Sequence, residues 1–473
     1  MRKTLVVCSV LLSLQLPAKF AAAQENEGVH EMSKDYQAPK DPLVIRKLDK
    51  WQDQKFGLFM HWGTYTIWNE VESWSICPVD WVVRKGPYSA DYFGYKKEYE
   101  NLQHSFNPVD FNPEKWAKAA KAAGMNYVVF TTKHHDGFCM FDTKQTDYRI
   151  TSPNTPFSSN PRSNVAKEIF SAFRKDSFMI GAYFSKPDWH SEYFWWSYYP
   201  PKDENVNYDL KKFPERWQKF NDYTYNQVEE LMSDYGSIDI LWLDGGWVRP
   251  NGKQSLDMKK IVDMARTHQP GLIVVDRTVP GEFENYTTPE QSIPDKPLPY
   301  PWETCMTMGD SWSYSSRDQY KPSLKLLTIL VKIVSRGGNL LLNIGPSDKG
   351  DWAPEAYKRL ADIGDWMKIN GEGIHSSVPV APYSDKNIYF TKAKYHPSVY
   401  AFFLSDSDTV KLPAEVAFPV QDVKKIKTVS LLGTKAKLKW TLNNGQLIIK
   451  VPKDLQEKSG LKYIATFKIN TEA

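Results

Sequence analysis

The sequence predicts an α/β chain: a (β/α)8-like, TIM-type barrel with scope for distortion, followed by a C-terminal all-β sandwich. Three observations predict it. Near-continuous apolar runs alternate with amphipathic helical patterns from about residue 46 to 370, the pattern of a parallel sheet covered by helices. After about 375 the texture changes to short alternating runs separated by turn residues, the signature of a sandwich. At 473 residues the chain is too long for one core of ordinary size.

The first 23 residues read as a signal peptide. Arg2 and Lys3 form a basic start, Leu5 to Leu16 a short apolar stretch, and Ala21-Ala22-Ala23 a small-residue cleavage site before Gln24. The stretch is too short to span a bilayer, and no later segment reads as a membrane span. This predicts export across the inner membrane, to the periplasm in a Gram-negative cell. Residues 24–45 are polar, with Pro and Asp, and read as a flexible lead-in.

The barrel is expected over 46–374. Its strand-like runs are Phe56–Trp62, Tyr127–Thr132, Met179–Phe184, Ile238–Leu243, Leu272–Val275, Trp302–Thr307 and Leu340–Ile344. Helical patterns precede the second, third, fourth, fifth and seventh runs, at Pro113–Ala123, Val165–Arg174, Arg216–Tyr235, Leu256–His268 and Leu324–Arg336; another spans 352–370. Seven or eight such units suit a barrel better than an open sheet, and no Gly-rich phosphate loop follows any run. The sandwich is expected over 375–473, with runs at Val399–Leu404, Thr428–Leu432, Leu447–Val451 and Tyr463–Ile469 and a turn at Asn443-Asn444-Gly445. It shows no aromatic platform and reads as a packing partner of the barrel.

Composition narrows the function. Hydrophobic content of 41% and charged content of 25% are those of a globular chain. Loss of Arg2, Lys3 and Lys19 with the leader lowers the formal charge of +4 to +1, so nothing electrostatic argues for a nucleic acid or an anionic membrane as partner. The 17 Trp, 26 Tyr and 23 Phe amount to 14%; large barrels bury many aromatics, but sugars also stack their C–H faces on such rings. Cys8 lies in the leader. Cys77, Cys139 and Cys305 are too few and too scattered for a disulfide framework or a zinc set, and read as small core residues.

In a parallel barrel the active site lies at the C-terminal ends of the strands. The residues delivered there are His61-Trp62-Gly63, Lys133-His134-His135-Asp136, Tyr183 with Asp188-Trp189, Asp244-Gly245-Gly246, Asp276-Arg277, and Glu303 in Pro301-Trp302-Glu303-Thr304-Cys305. A lone carboxylate there is often only a helix cap; the convergence of so many polar groups is what packing explains poorly. Retaining glycosidases need two carboxylates about 5–5.5 Å apart. Asp244 and Glu303, on the fourth and sixth runs, are the expected pair. The glycines after Asp244 read as room for a substrate against the backbone. The apolar neighbours of Glu303 read as raising its pKa for acid work. The His residues also suggest a metal site, but there is no H-x-H or H-E-x-x-H spacing. His134 and His135 share a ligand only at a strand end or bulge.

Taken in order, Met60-His61-Trp62-Gly63, Lys133-His134-His135-Asp136-Gly137-Phe138, Trp242-Leu243-Asp244-Gly245, Trp302-Glu303-Thr304-Cys305-Met306-Thr307, Asn339 to Pro346 and Asn370 to His375 resemble the α-L-fucosidases of glycoside hydrolase family 29. The resemblance spans about 50 to 376. It implies a distorted barrel with a C-terminal sandwich, an exo-acting retaining mechanism without cofactor or metal, and fucosylated oligosaccharides or glycoconjugates as substrates. It implies Asp244 as nucleophile and Glu303 as acid/base, with Glu282 and Glu284 in a nearby loop as the runners-up. It further implies His61, Glu72, Trp74, His134, His135, Tyr183, Trp242 and Arg277 as sugar-binding residues. The aromatic cluster Trp189 to Tyr199 reads equally as leaving-group subsites or as a loop packed on the barrel rim. Two rival readings are an inactive sugar-binding relative, which would lack a carboxylate, and a metal-dependent barrel hydrolase using the His cluster. The cleaved linkage and the oligomeric state are left open.

Overall fold

The computed structural model describes residues 35–421, 425–458 and 460–472; the predicted leader and most of the lead-in lie outside them. The described chain begins with a helix that the lead-in reading did not foresee, α1 (Pro42–Gln54). Asp41 caps it, accepting from the Leu43 amide at 2.8 Å, and Pro42 sits in the first turn, where no amide is needed. Its buried face is only Val44, Leu48 and Trp51, spaced four and three along a charged segment. That thin stripe is why the segment reads as polar. Trp51 stacks on Tyr286 at 4.0 Å and closes the lower end of the barrel.

The seven predicted runs form seven strands: β1 (Phe56–Met60), β2 (Tyr127–Lys133), β3 (Met179–Ser185), β4 (Ile240–Asp244), β5 (Ile273–Asp276), β6 (Glu303–Thr307) and β7 (Asn339–Asn343). All pair in parallel, in the order β5-β4-β3-β2-β1-β7-β6. The predicted helices appear as α3 (Pro113–Ala122), α4 (Val165–Lys175), α5 (Pro214–Asp234), α6 (Met258–His268), α7 (Ser323–Ser335) and α8 (Pro354–Asn370); α2 (Tyr92–Asn101) lies in the long connection after β1. Each strand is buried throughout, which is why periodicity alone does not reveal its faces. The pleat separates them. Phe59, Tyr127, Val129, Tyr183, Trp242, Val275, Cys305 and Leu341 pack together inside the barrel. Leu58, Met60, Phe130, Ile180, Leu241, Val274, Met306 and Leu342 pack outward with the helices.

The sheet does not close strand to strand, since β5 and β6 are both edges. The chain between them fills the gap. The amide of Asp276 bonds the Phe283 carbonyl at 2.9 Å, and the amide of Asn285 bonds the Val274 carbonyl at 2.9 Å. The amides of Glu303 and Cys305 then bond the carbonyls of Thr287, at 2.9 Å, and Pro289, at 3.2 Å. Residues 283–291 thus run antiparallel beside β5 and parallel beside β6. This is the distortion of the barrel, and it satisfies edge groups that would otherwise be stranded.

The C-terminal part comprises β8 (Ser377–Asp385), β9 (Ile388–Ala393), β10 (Ser398–Thr409), β11 (Glu415–Pro419), β12 (Ile426–Leu431), β13 (Lys439–Asn443), β14 (Gln446–Lys450) and β15 (Lys462–Thr471). They form two antiparallel sheets, ordered β12-β15-β10-β9-β8 and β11-β14-β13, around a separate apolar core that includes Phe390, Phe418, Leu447 and Phe467. Asn444 and Gly445 both have positive φ, 49° and 78°, and make the two-residue turn expected there. The sandwich rests on the barrel's α7 and α8; the Trp366 indole N–H, for example, donates to the Ile464 carbonyl at 2.9 Å.

Candidate active site

A cavity of about 130 Å³ opens at the C-terminal ends of the strands. Its wall includes Asp244, His61, Glu72, Trp74, His134, His135, Trp242 and Arg277. Tyr183 lies just behind the wall, fully buried, and its hydroxyl donates to Asp244 Oδ2 at 2.8 Å. The sequence reading did not single out Phe59, Trp247, Glu290 or Trp312, which also line the cavity.

Asp244 ends β4. Its Oδ1 accepts from the Gly245 amide at 2.8 Å and from Arg277 Nη1 at 3.1 Å. Burial alone would raise its pKa; the Arg277 charge, then His135, the Gly245 amide and His134, outweigh burial and hold the carboxyl well below the usual range. A group so depressed is an anion at neutral pH. The glycines that follow serve the protein rather than the substrate. Gly245 has φ 89°, and a Cβ there would meet the Pro187 ring; one at Gly246 would meet Thr278. They bend the chain sharply after the carboxylate.

Arg277, one residue beyond β5, spans two acids. Its Nη1 bonds Asp244, and its Nη2 bonds Glu290 Oε2. Glu290 lies on the segment that closes the barrel, with its side chain 41% exposed at the cavity mouth. One planar guanidinium gripping both groups sets the two carboxylates close together across the cavity.

The three imidazoles are neutral at pH 7. Burial lowers His61 and His135 to about 4 each and lowers His134 well below the usual imidazole value. The partners of His61 and His135 assign their tautomers. Asn343 Oδ1 accepts from His61 Nδ1 at 2.8 Å, while the same amide donates to the Trp312 carbonyl at 2.6 Å. Ser185 gives its proton to the Pro187 carbonyl at 2.6 Å and so accepts from His135 Nδ1 at 2.7 Å. Ser73 accepts from the Asp136 amide at 3.0 Å and hydrogen-bonds His134 Nδ1. His61 and His135 are therefore left with an Nε2 acceptor. His134 and His135 both reach the cavity because β2 ends at Lys133 after a register shift against β3.

Glu72 also borders the cavity. It is 3% exposed, its Oε1 accepts from the Ser313 amide at 2.9 Å, and burial pushes its pKa up to about 7.

Glu303 does not reach the cavity, which corrects its expected place as acid/base. It is the first residue of β6, paired with Asn339 at the start of β7. The strand points it into the barrel, but one pleat below Cys305, beneath the floor. There it is fully buried and accepts from the Tyr127 hydroxyl at 2.7 Å and the Trp242 indole N–H at 3.2 Å. Burial raises it to about 7, as its apolar neighbours predict, and it lies outside the cavity lining. The runners-up do not line the cavity either: Glu282 is exposed, and Glu284 is buried with its Oε1 on the Thr278 amide at 3.0 Å.

Donor atoms of His134, His135 and Asp244 lie within 4.8 Å of one another, the geometry behind the metal reading. Each imidazole already holds a partner at Nδ1, and the Arg277 cation on Asp244 opposes a second cation there. Cys77, Cys139 and Cys305 are free and buried, as small core residues. Of the aromatic cluster after β3, Trp189, Phe194 and Trp195 are buried in the rim, whereas Tyr198 is exposed.

A family model for α-L-fucosidase matches residues 23–372, and one for the α-L-fucosidase C-terminal domain matches 382–470. The plasma α-L-fucosidase of Homo sapiens is 28% identical over 437 residues, covering 87% of each chain. The tissue α-L-fucosidase of Bos taurus is 29% identical over 430 residues, covering 85% of this chain and 83% of that one. α-L-Fucosidase isoenzyme 1 from Paenibacillus thiaminolyticus superposes with a TM-score of 0.75 at 28% identity, over 91% of this chain and 100% of that one. With the barrel, the sandwich and the acid-lined pocket in place, these matches make the chain a member of the α-L-fucosidase family, glycoside hydrolase family 29.

Proposed function

We propose that in this exo-acting, retaining α-L-fucosidase Asp244 is the nucleophile and Glu290 the general acid/base. The observation that carries the assignment is the Arg277 guanidinium, which bonds both carboxylates at the cavity. In the first step the Asp244 carboxylate attacks the anomeric carbon, and the leaving oxygen takes a proton from Glu290. This forms a fucosyl ester on Asp244. In the second step Glu290 removes a proton from water as the water attacks the same carbon, freeing Asp244 and giving fucose of retained configuration. Glu290 suits both steps because it stands at the mouth, where the leaving group departs and water enters. Glu72 is buried behind the Ser313 amide and suits a contact to the sugar ring.

His61 and His135 offer acceptors, and His134 its own Nε2, to the sugar hydroxyls. Trp74, Trp242 and Trp312 supply apolar faces for its C–H groups and methyl. A cavity of about 130 Å³ takes one sugar ring, which fits removal of terminal fucose from fucosylated oligosaccharides or glycoconjugates. Two carboxylates at the pocket argue against a dead sugar-binding relative, and the family argues against a metal-dependent hydrolase. The product anomer tests the reading. NMR of aryl α-L-fucoside hydrolysis is expected to show α-L-fucose first, with the β anomer appearing only by mutarotation; β-fucose first would overturn it.

Among the described residues no helix is long and apolar enough to cross a membrane. The basic, apolar and small-residue order of residues 1–23 supports export to the periplasm. Mature protein recovered from a Gram-negative periplasm is expected to begin at Gln24; an intact Met1 there would contradict it.

A further inference from the structure

The cavity holds one sugar, so the rest of a glycan substrate must lie outside it, beyond the mouth. Trp74 forms part of that mouth. Its ring packs inward against His135 at 5.5 Å, Trp189 at 5.2 Å and Trp247 at 5.7 Å. On another side it meets Trp81 at 5.4 Å, with the two planes 52° apart. Trp81 is 61% exposed. Through its contact with Trp74, which lines the cavity, this exposed indole continues the aromatic surface of the mouth outward into solvent. The loop that carries it is built. Arg84 donates to the Ser75 carbonyl at 2.8 Å and the Cys77 carbonyl at 2.5 Å, and the Val79 amide bonds the Cys77 carbonyl at 2.8 Å. These bonds tie the segment on both sides of Trp81 to the 3-10 turn Ser73–Ile76, which carries Trp74, and to Cys77 just after it.

We propose that Trp81 is the platform on which the sugar bonded to fucose stacks, making it a specificity-determining residue for pyranose leaving groups. The proposal rests on the cavity holding the fucosyl ring. A pyranose leaving the mouth beside Trp74 offers its C–H face to the next aromatic surface outward. Stacking there gains free energy for saccharide leaving groups and none for a leaving group with no ring.

The test compares full-length wild type, Trp81→Ala and Trp81→Phe on α-L-fucosyl fluoride, 2′-fucosyllactose and 3-fucosyllactose. A parallel Tyr198→Ala variant removes another exposed aromatic, 72% accessible, that does not line the cavity. Trp81→Ala is expected to lower kcat/KM about tenfold on the trisaccharide that the wild type cleaves faster, mainly through KM. It is expected to stay within about twofold of wild type on the fluoride, with Trp81→Phe in between. An equal loss on fluoride and trisaccharide, no loss on either, or a selective loss with Tyr198→Ala instead would overturn the platform. So would a wild type that turns over the fluoride and neither trisaccharide. Failure of the wild type on the fluoride itself would count against the fucosyl pocket.

Discussion

Asp244→Gly is expected to lose about 10³-fold or more in kcat on aryl α-L-fucoside, because it removes the carboxylate that forms the covalent ester. The loss should be specific. The main chain at 244 is strand, the neighbouring Gly245 already supplies the bend, and the imidazoles keep their own partners in Asn343, Ser185 and Ser73. Removal of the side chain leaves a space of carboxylate size beside Arg277. Azide entering that space attacks the face that Asp244 attacks, so activity returns with azide concentration and the product is β-fucosyl azide. Recovery of α-fucosyl azide, or no recovery with the fold intact, would move the nucleophile elsewhere.

Glu290→Ala is expected to behave differently with each leaving group. General acid assistance is worth about 10²–10⁴-fold, and it matters where the departing oxygen is a poor leaving group. The variant should therefore lose that range on fucosyllactose and much less on a 2,4-dinitrophenyl fucoside. With the activated substrate its second step becomes slow, and azide should accelerate it to give α-fucosyl azide. Glu303→Gln should lose less than about tenfold on either substrate, since Gln keeps an acceptor for the Trp242 N–H and touches no reacting atom. If Glu303→Gln shows the leaving-group dependence and Glu290→Ala does not, the two roles are reversed.

The contrast between these two acids shows what the sequence makes legible. The seven strands were legible because each is a compact apolar run, and the residues just past their ends (His61, His134, His135, Asp244 and Arg277) follow from the rule that barrel sites sit at that end. Glu303 misled for a physical reason. In Trp302 to Thr307 the glutamate begins the strand, so it points into the lower barrel beneath Trp242, while the position that reaches the cavity is Cys305. The order of the run already places Glu303 at its N-terminal end, away from the end where barrel sites sit; what an all-buried run without alternation hides is only the face each residue takes. Glu290 was missed because its segment has no strand periodicity. It pairs with β5 and β6 only through single bridges, and the missing pairing between β5 and β6 is a tertiary fact. A loop too long for a tight connection between two barrel strands was the available signal. The helix α1 escaped for the same kind of reason, its three buried residues being outnumbered by charge.

The most direct measurement is to trap the intermediate. Treatment with 2-deoxy-2-fluoro-α-L-fucosyl fluoride, followed by intact mass and peptide mapping, is expected to add one fluorofucosyl group to the peptide containing Asp244, with none in Asp244→Gly. A label on Glu72, Glu290 or Glu303, or a protein that turns over fucosides yet never carries a label, would contradict the assignment of Asp244 as the nucleophile.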